Sequence, residues 1–206
     1  MRKLIFLALI FTLFFGCENK PDSETHPTPK PEGEQPQQSA TPEGYNAPAR
    51  QTQTPPAESE IAKASTPLVD KSENRMGNVA LAVEAIDGTK VAPGQEFSFN
   101  DAVGARTTKK GYKEAAIFVE DEKVDEIGGG VCQVATTIFQ AARAADLEVT
   151  ERHEHNQKVT YADQGDDATV FYGKMDMKFK NTTQKDIRID CTSDSEQVLV
   201  KLVAVR

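Results

Sequence analysis

Cys132 and the pair His153 and His155 are the residues of this chain whose types and spacing most readily do chemistry. A thiolate is a strong nucleophile, an imidazole moves a proton near neutral pH, and a nearby carboxylate can hold the ring in register. Cys132 follows Gly128-Gly129-Gly130-Val131, and Val131, Val134, Ala135, Ile138, Phe139 and Ala142 then recur at helical spacing. The pattern predicts a mostly buried helix with Cys132 in its first turn. Unpaired backbone N–H groups and the helix field at such a position lower a thiol pKa. The three glycines permit a tight bend or the close approach of another segment. Both histidines follow Leu147-Glu148-Val149, and at spacing two they share one face of an extended strand. Asp163, Asp166 and Asp167 lie within fifteen residues and can orient an imidazole.

Two other chemistries use the same atoms. Cys132, His153, His155 and one carboxylate suit zinc in type and number, although no paired-cysteine spacing or HExxH motif accompanies them. Alternatively the glycines only allow close packing, Cys132 is a buried residue at a helix start, and the histidines bind loop carbonyls or carboxylates. Cys191 belongs to Ile187-Arg188-Ile189-Asp190-Cys191, where alternation makes it a small buried hydrophobe of a strand rather than a reactive thiol.

The elements that must position these residues read as α+β. Val79, Leu81, Ala82, Ala85 and Ile86 predict a helix over Asn78–Ile86, closed by Asp87-Gly88. Strands are predicted at Glu96–Asn100, Ala115–Glu120 and Lys123–Ile127. In the last third, Met175, Met177 and Phe179, then Ile187 to Cys191, then Val198, Val200, Leu202 and Ala204 alternate with polar residues. They predict an antiparallel C-terminal meander with one face on a core, on which the helix opening at Gly-Gly-Gly-Val-Cys-Gln packs.

Upstream of residue 64 the chain is of another kind. Met1-Arg2-Lys3 and the apolar run Leu4–Phe15, too short for a bilayer span, predict a signal peptide over 1–16. Leu13-Phe14-Phe15-Gly16-Cys17 is similar to a lipoprotein signal, with bulkier residues before the glycine than usual. Cys17 is therefore expected to carry lipid, two acyl chains (palmitate among them) sufficing for stable membrane anchoring. Residues 17–63 carry nine prolines between Pro21 and Pro56 and one aromatic, Tyr45, too little apolar surface to offset the entropy of ordering; they are expected to be a disordered tether. One domain over 64–206 holds every other aromatic after the leader. Export and the net charge of −8 argue against nucleic acid as a partner. The expected place is extracytoplasmic, lipid-anchored to the cell membrane or an outer membrane.

Asn74-Arg75, Asn78 to Ala82, Pro93 to Asn100, Val103 to Thr107, Gly111-Tyr112, Gly128 to Thr137, Glu151 to His155 and Gly165 to Val170, taken in order, resemble the VanW-like family. This family takes its name from an accessory gene of some glycopeptide-resistance clusters. The resemblance implies an exported protein of the bacterial envelope that binds or acts on peptidoglycan or surface peptides; the chain is expected to be a monomer and to need no cofactor. It maps the family's glycine-cysteine-glutamine signature to Gly129, Gly130, Cys132 and Gln133, its histidine pair to His153 and His155, and its later aspartate to Asp167. Ala135 stands where a serine is common, and Glu154 where a proline is commoner. As a thiol amidase, peptidase or transpeptidase, the domain would use Cys132 as nucleophile, His153 or His155 as base and Asp167 to orient the ring. Gln133 or backbone N–H groups would hold the oxyanion, and Arg106 and Arg152 would meet a substrate carboxylate. Glycopeptide resistance itself is not implied, since no ligase signature is present.

Overall fold

A computed structural model describes residues 58–119 and 122–205, so the expected signal peptide, the lipidated Cys17 and the tether as far as residue 57 lie outside the described residues. Strand β1 (Ser59–Pro67) begins within the span expected as tether. Its residues are small or polar, so its alternation carries little hydrophobic signal. β1 pairs antiparallel with β9 (Gln197–Val205), β9 with β8 (Asp186–Ser193) and β8 with β2 (Thr89–Val91), giving the order β1-β9-β8-β2. Here the predicted alternation holds: Ile187, Ile189, Cys191, Val198, Val200 and Leu202 all turn inward, none more than 1% exposed.

Two helices meet this sheet. α1 (Glu73–Ile86) contributes Val79, Ala82, Val83 and Ile86 to the core and packs against β8; it starts a turn and a half before the apolar pattern does. α3 (Val131–Ala144) buries Val134, Ala135, Ile138, Ala141 and Ala142 and packs against β1, β9 and α1. Each such isoleucine or valine taken out of water contributes roughly 1.5–3 kcal/mol.

The predicted meander is divided between two sheets. Of the segment around Met175 to Phe179, only Lys178–Lys180 forms a strand, β7, and it pairs with β3 (Glu96–Ser98) on one side and β6 (Glu148–Glu151) on the other. The Phe97 and Phe179 rings stack across β3 and β7 with centroids 5.1 Å apart. Asn181 diverts the chain between β7 and β8: its buried amide donates to the Val91 and Lys185 carbonyls and accepts from Thr183. The strand predicted at Glu96–Asn100 stops at Ser98, whose hydroxyl accepts from the Asp101 N–H and caps a short helix, α2 (Phe99–Val103).

β4 (Glu114–Val119) and β5 (Glu122–Ile127) form a separate hairpin near the predicted positions, and β5 delivers the chain into the glycines. Gly128 and Gly130 have φ of +89° and +106°, the left-handed region that disfavours a side chain. At Gly129 the constraint is space: a Cβ there would lie 2.5 Å from the Ala115 carbonyl oxygen. The buried Asn78 side chain fastens the turn, donating to the Gly129 carbonyl at 3.0 Å and the Lys113 carbonyl at 2.9 Å while accepting from the Lys113 N–H.

Gly129→Ala is therefore expected to lower stability by about 1–3 kcal/mol through overpacking against backbone. Gly77→Ala, inside α1 with open space around its Cβ, should instead raise it by up to about 1 kcal/mol through helix propensity. Urea unfolding of the full chain measures both, and equal effects would contradict the close approach at Gly129.

Candidate functional site

Cys132 is the second residue of α3, whose start lies on the glycine turn. It is a free cysteine, partly buried, with its sulfur 3.5 Å from the Thr169 hydroxyl and 3.6 Å from the Val170 carbonyl. Thr136, one helical turn further along the same face, binds the next stretch of that segment: its hydroxyl donates to the Ala168 carbonyl at 3.1 Å and accepts from the Ala168 N–H at 2.9 Å. One helix face thus holds residues 167–170 alongside the thiol.

Backbone register then selects the histidine. His153 and Thr169 form an isolated antiparallel bridge, the Thr169 N–H donating to the His153 carbonyl at 2.8 Å. Two residues on in one strand and two back in the other, His155 faces Asp167. The His155 main-chain N–H and its ring Nδ1 both meet Asp167 Oδ2, at 2.8 Å and 2.5 Å. With Nδ1 taken, Nε2 is the ring nitrogen left for the thiol, and Cys132 and His155 are close enough for each to shift the other's pKa. Regular pairing ends at the bridge, so the two histidines diverge. The His153 ring turns to Glu151, 3.0 Å away, and takes no part in the thiol site. The zinc alternative needed both rings, and no cluster of three or more His, Cys, Asp or Glu placed to hold a metal ion occurs among the described residues.

Arg152 is occupied inside the protein. Its guanidinium donates through Nε to the Asp167 carbonyl at 2.7 Å, through Nη2 to Asp167 Oδ1 at 3.3 Å and through Nη1 to Glu154, and it lies over the Phe139 ring. It holds Asp167 so that Oδ2 faces His155. Gln133 is likewise committed: almost wholly buried, it donates to Thr66 Oγ1 and the Pro67 carbonyl and accepts from Arg75. Its amide secures β1 to α3, and of the backbone N–H groups at the helix start those of Val131 and Gln133 donate to the Gly128 and Gly130 carbonyls.

Burial is the largest single influence on all three groups of the chain, and in each the partners outweigh it. It pushes the Cys132 thiol up, but His155, by hydrogen bond and charge, with the Val170 main chain and Thr169, brings it below its ordinary value. It pushes His155 down, yet Cys132 and Asp167 raise the imidazole above its usual range. It pushes Asp167 up, but His155 and Arg152 hold the carboxylate lower. Cys191 has no such partners, and burial first, then Asp87, pushes its thiol up to about 12.

Sequence reasoning missed several residues at the site. Thr136 was legible from its spacing to Cys132. Tyr161 was not, coming from a loop without periodicity: its ring stands edge-on to His155 at 6.4 Å, and burial, then the neighbouring Cys132, raises its phenol pKa. Arg106 lies against Gly128 with Nη1 donating to Asn100 at 2.7 Å. The exposed Phe171 and Tyr172 follow Val170 at the edge of the site.

A family model described as VanW like protein matches residues 74–203. The uncharacterized protein YoaR of Bacillus subtilis is 42% identical over 118 residues, which are 57% of this chain and 39% of that protein. The vancomycin B-type resistance protein VanW of Enterococcus faecalis is 28% identical over 137 residues, 64% of this chain and 50% of that protein. The chain thus spans half the length of these curated relatives or less. No solved structure matches it.

The raised His155 pKa has a definite linkage. Its contribution to stability is complete below the unfolded value of about 6.5 and is lost as pH rises through the folded value. The depressed Asp167 contributes above about 3.9 and loses that contribution as pH falls through its folded value. NMR titration of the His155 ring should give a midpoint above about 6.5 that drops in Asp167→Asn, where burial dominates. An unchanged midpoint would remove Asp167 as the ring's partner.

Proposed function

The chain belongs to the VanW-like family, and on that premise we propose that its domain is a thiol-dependent acyl-transfer enzyme of the bacterial envelope, acting on amide bonds of peptidoglycan stem peptides or surface peptides. One observation carries the reading: Asp167 takes Nδ1 of His155 at 2.5 Å, and that imidazole lies close enough to Cys132, at the start of a buried helix, to lower its thiol pKa. Such an arrangement supports the roles of nucleophile for Cys132, base for His155 and orienting carboxylate for Asp167. The lipoprotein-like leader and proline-rich tether support a place outside the cytoplasm, with Cys17 as the membrane anchor.

In the first half-reaction the Cys132 thiol gives its proton to His155 Nε2 and the thiolate attacks the amide carbonyl, forming a C–S bond. The oxyanion that develops lies at the α3 N-terminus, where the helix field and the Cys132 N–H stabilise it, the Val131 and Gln133 N–H groups being bonded to Gly128 and Gly130. The C–N bond then breaks, and the amine departs with the proton carried by His155. Water, or an acceptor amine, next loses a proton to His155 as it attacks the thioester. That second attack breaks the C–S bond, releases the acid or the exchanged amide, and returns the proton to sulfur. Asp167 stays ionised throughout and keeps the ring in the tautomer with its proton on Nδ1. Phe171 and Tyr172, exposed beside the thiol, offer apolar surface to the arriving substrate.

The test is iodoacetamide alkylation of Cys132 in the folded full chain as a function of pH, with Cys132→Ala subtracting the other cysteines. A midpoint well below about 8.5 that rises in His155→Ala but not in His153→Ala is expected. Digestion of peptidoglycan and envelope peptides, followed by mass spectrometry, should be lost in both Cys132→Ala and His155→Ala. An ordinary midpoint insensitive to His155, with ligand binding intact in Cys132→Ala, would make the domain a binding module.

A further inference from the structure

Among the described residues there are five arginines, and three have acidic partners: Arg143 with Asp166, Arg152 with Glu154 and Asp167, Arg188 with Glu58 and Asp190. Arg75 and Arg106 have none within ion-pair distance, and they are also the two residues that carry a buried side-chain nitrogen without a hydrogen-bond partner, Arg75 Nε and Arg106 Nη2. Both lie on the glycine turn that opens α3. A Cβ on Gly130 would lie 2.9 Å from Arg75 Cγ, and one on Gly128 would lie 3.1 Å from Arg106 Cβ. The glycines therefore admit an arginine from each side of the helix start that carries Cys132.

Local contacts fix both guanidinium groups. Arg75 donates to Gln133, and Tyr161 is in the electrostatic range of both Arg75 and Cys132. Arg106 donates to Asn100, lies over the Phe99 ring at 5.3 Å, and interacts through charge with Cys132, Tyr112, Asp176 and Tyr172. Asp176 is the acidic group facing it, and that carboxylate is already engaged by Ser98, by the Asn100 and Met177 N–H groups and by Lys178. An unpaired buried donor costs about 1–3 kcal/mol, and more when charged, so a fold that keeps two beside a nucleophile leaves an acceptor to be supplied from outside.

We propose that Arg75 and Arg106 select a substrate with a free carboxylate close to its scissile acyl group, that is, the C-terminal residues of a peptide. This rests on the thiol reading of the same site and narrows its substrate class. The two nitrogens are covered in the unliganded chain, so recognition begins with charge, and a guanidinium–carboxylate hydrogen bond forms as the chain end seats. Endopeptide bonds, with no charge nearby, are poor substrates on this account.

Paired alkylation rates separate the two ideas. The ratio of iodoacetate to iodoacetamide rate constants at Cys132 in the full chain should exceed that of N-acetylcysteine by about tenfold, the lower range of electrostatic steering. It should fall as salt rises from about 0.05 M to about 0.5 M, beyond the screening range of surface charge. Arg75→Gln with Arg106→Gln should bring it to the N-acetylcysteine value, whereas Arg106→Lys should keep most of it. As a measurement independent of thiol reactivity, the His155 NMR signal should shift saturably with N-acetyl-alanyl-alanine and not with its C-terminal amide. Equal response to acid and amide, or a ratio that both glutamine substitutions leave unchanged, overturns the proposal. Acid-selective binding beside an unreactive thiol would sink only the catalytic reading.

Discussion

The side-chain amide of Asn78, 1% exposed, joins three segments: α1, the Lys113 main chain leading into β4, and the Gly129 carbonyl. A buried amide in such a place needs all its hydrogen bonds, and each of these partners is a backbone group, the Lys113 carbonyl accepting from the Gly128 N–H as well. The result is a fixed distance between α1 and the start of α3. Gly129 responds to that distance, pressed on the Ala115 carbonyl with no room for a methyl group. Position and axis of α3 then follow, and with them the site of Cys132 and the place where Arg75 and Arg106 reach the helix start.

A second fastening transmits this position to the rest of the triad. Thr136 exchanges two hydrogen bonds with Ala168, so residues 167–170 are registered to α3 rather than to the sheet that precedes them. The His153–Thr169 bridge passes that register on to His155. Cys132, His155 and Asp167 are thereby located by backbone contacts of a neighbour, which is how a loop segment without helix or strand, 154–168, can hold His155 and Asp167 in register.

Legibility in the sequence followed the strength of the period. The α3 stripe and the alternation of β8 and β9 announce themselves because burial on one face repeats over several residues. The division of the predicted meander did not, since Asp176, at an outward-facing position by alternation, is buried to accept the Asn100 and Met177 N–H groups. β1 was hidden by its small residues. At the site, Cys132 and Asp167 were legible by type, but the choice of His155 over His153 depends on where a backbone ladder stops. The fates of Arg152 and Gln133 depend on neighbours remote in sequence. A charged or amide side chain looks the same in a sequence whether it faces substrate or the protein interior.

The thiol environment shows why burial and activation coexist here. A cysteine closed off from water among apolar residues alone becomes less acidic, as Cys191 does. Cys132 is also covered, yet the balance reverses because the site supplies charge that solvent cannot screen at short range. The His155 imidazole, the helix start and Arg106 all place positive potential near one sulfur, in a chain whose formal charge is −8. Such a concentration is costly in the resting protein. It is tolerated because Asp167 and Arg152 hold the imidazole in line while leaving its Nε2 edge free, so the positive field is aimed at the sulfur and at whatever anion forms there rather than neutralised within the fold.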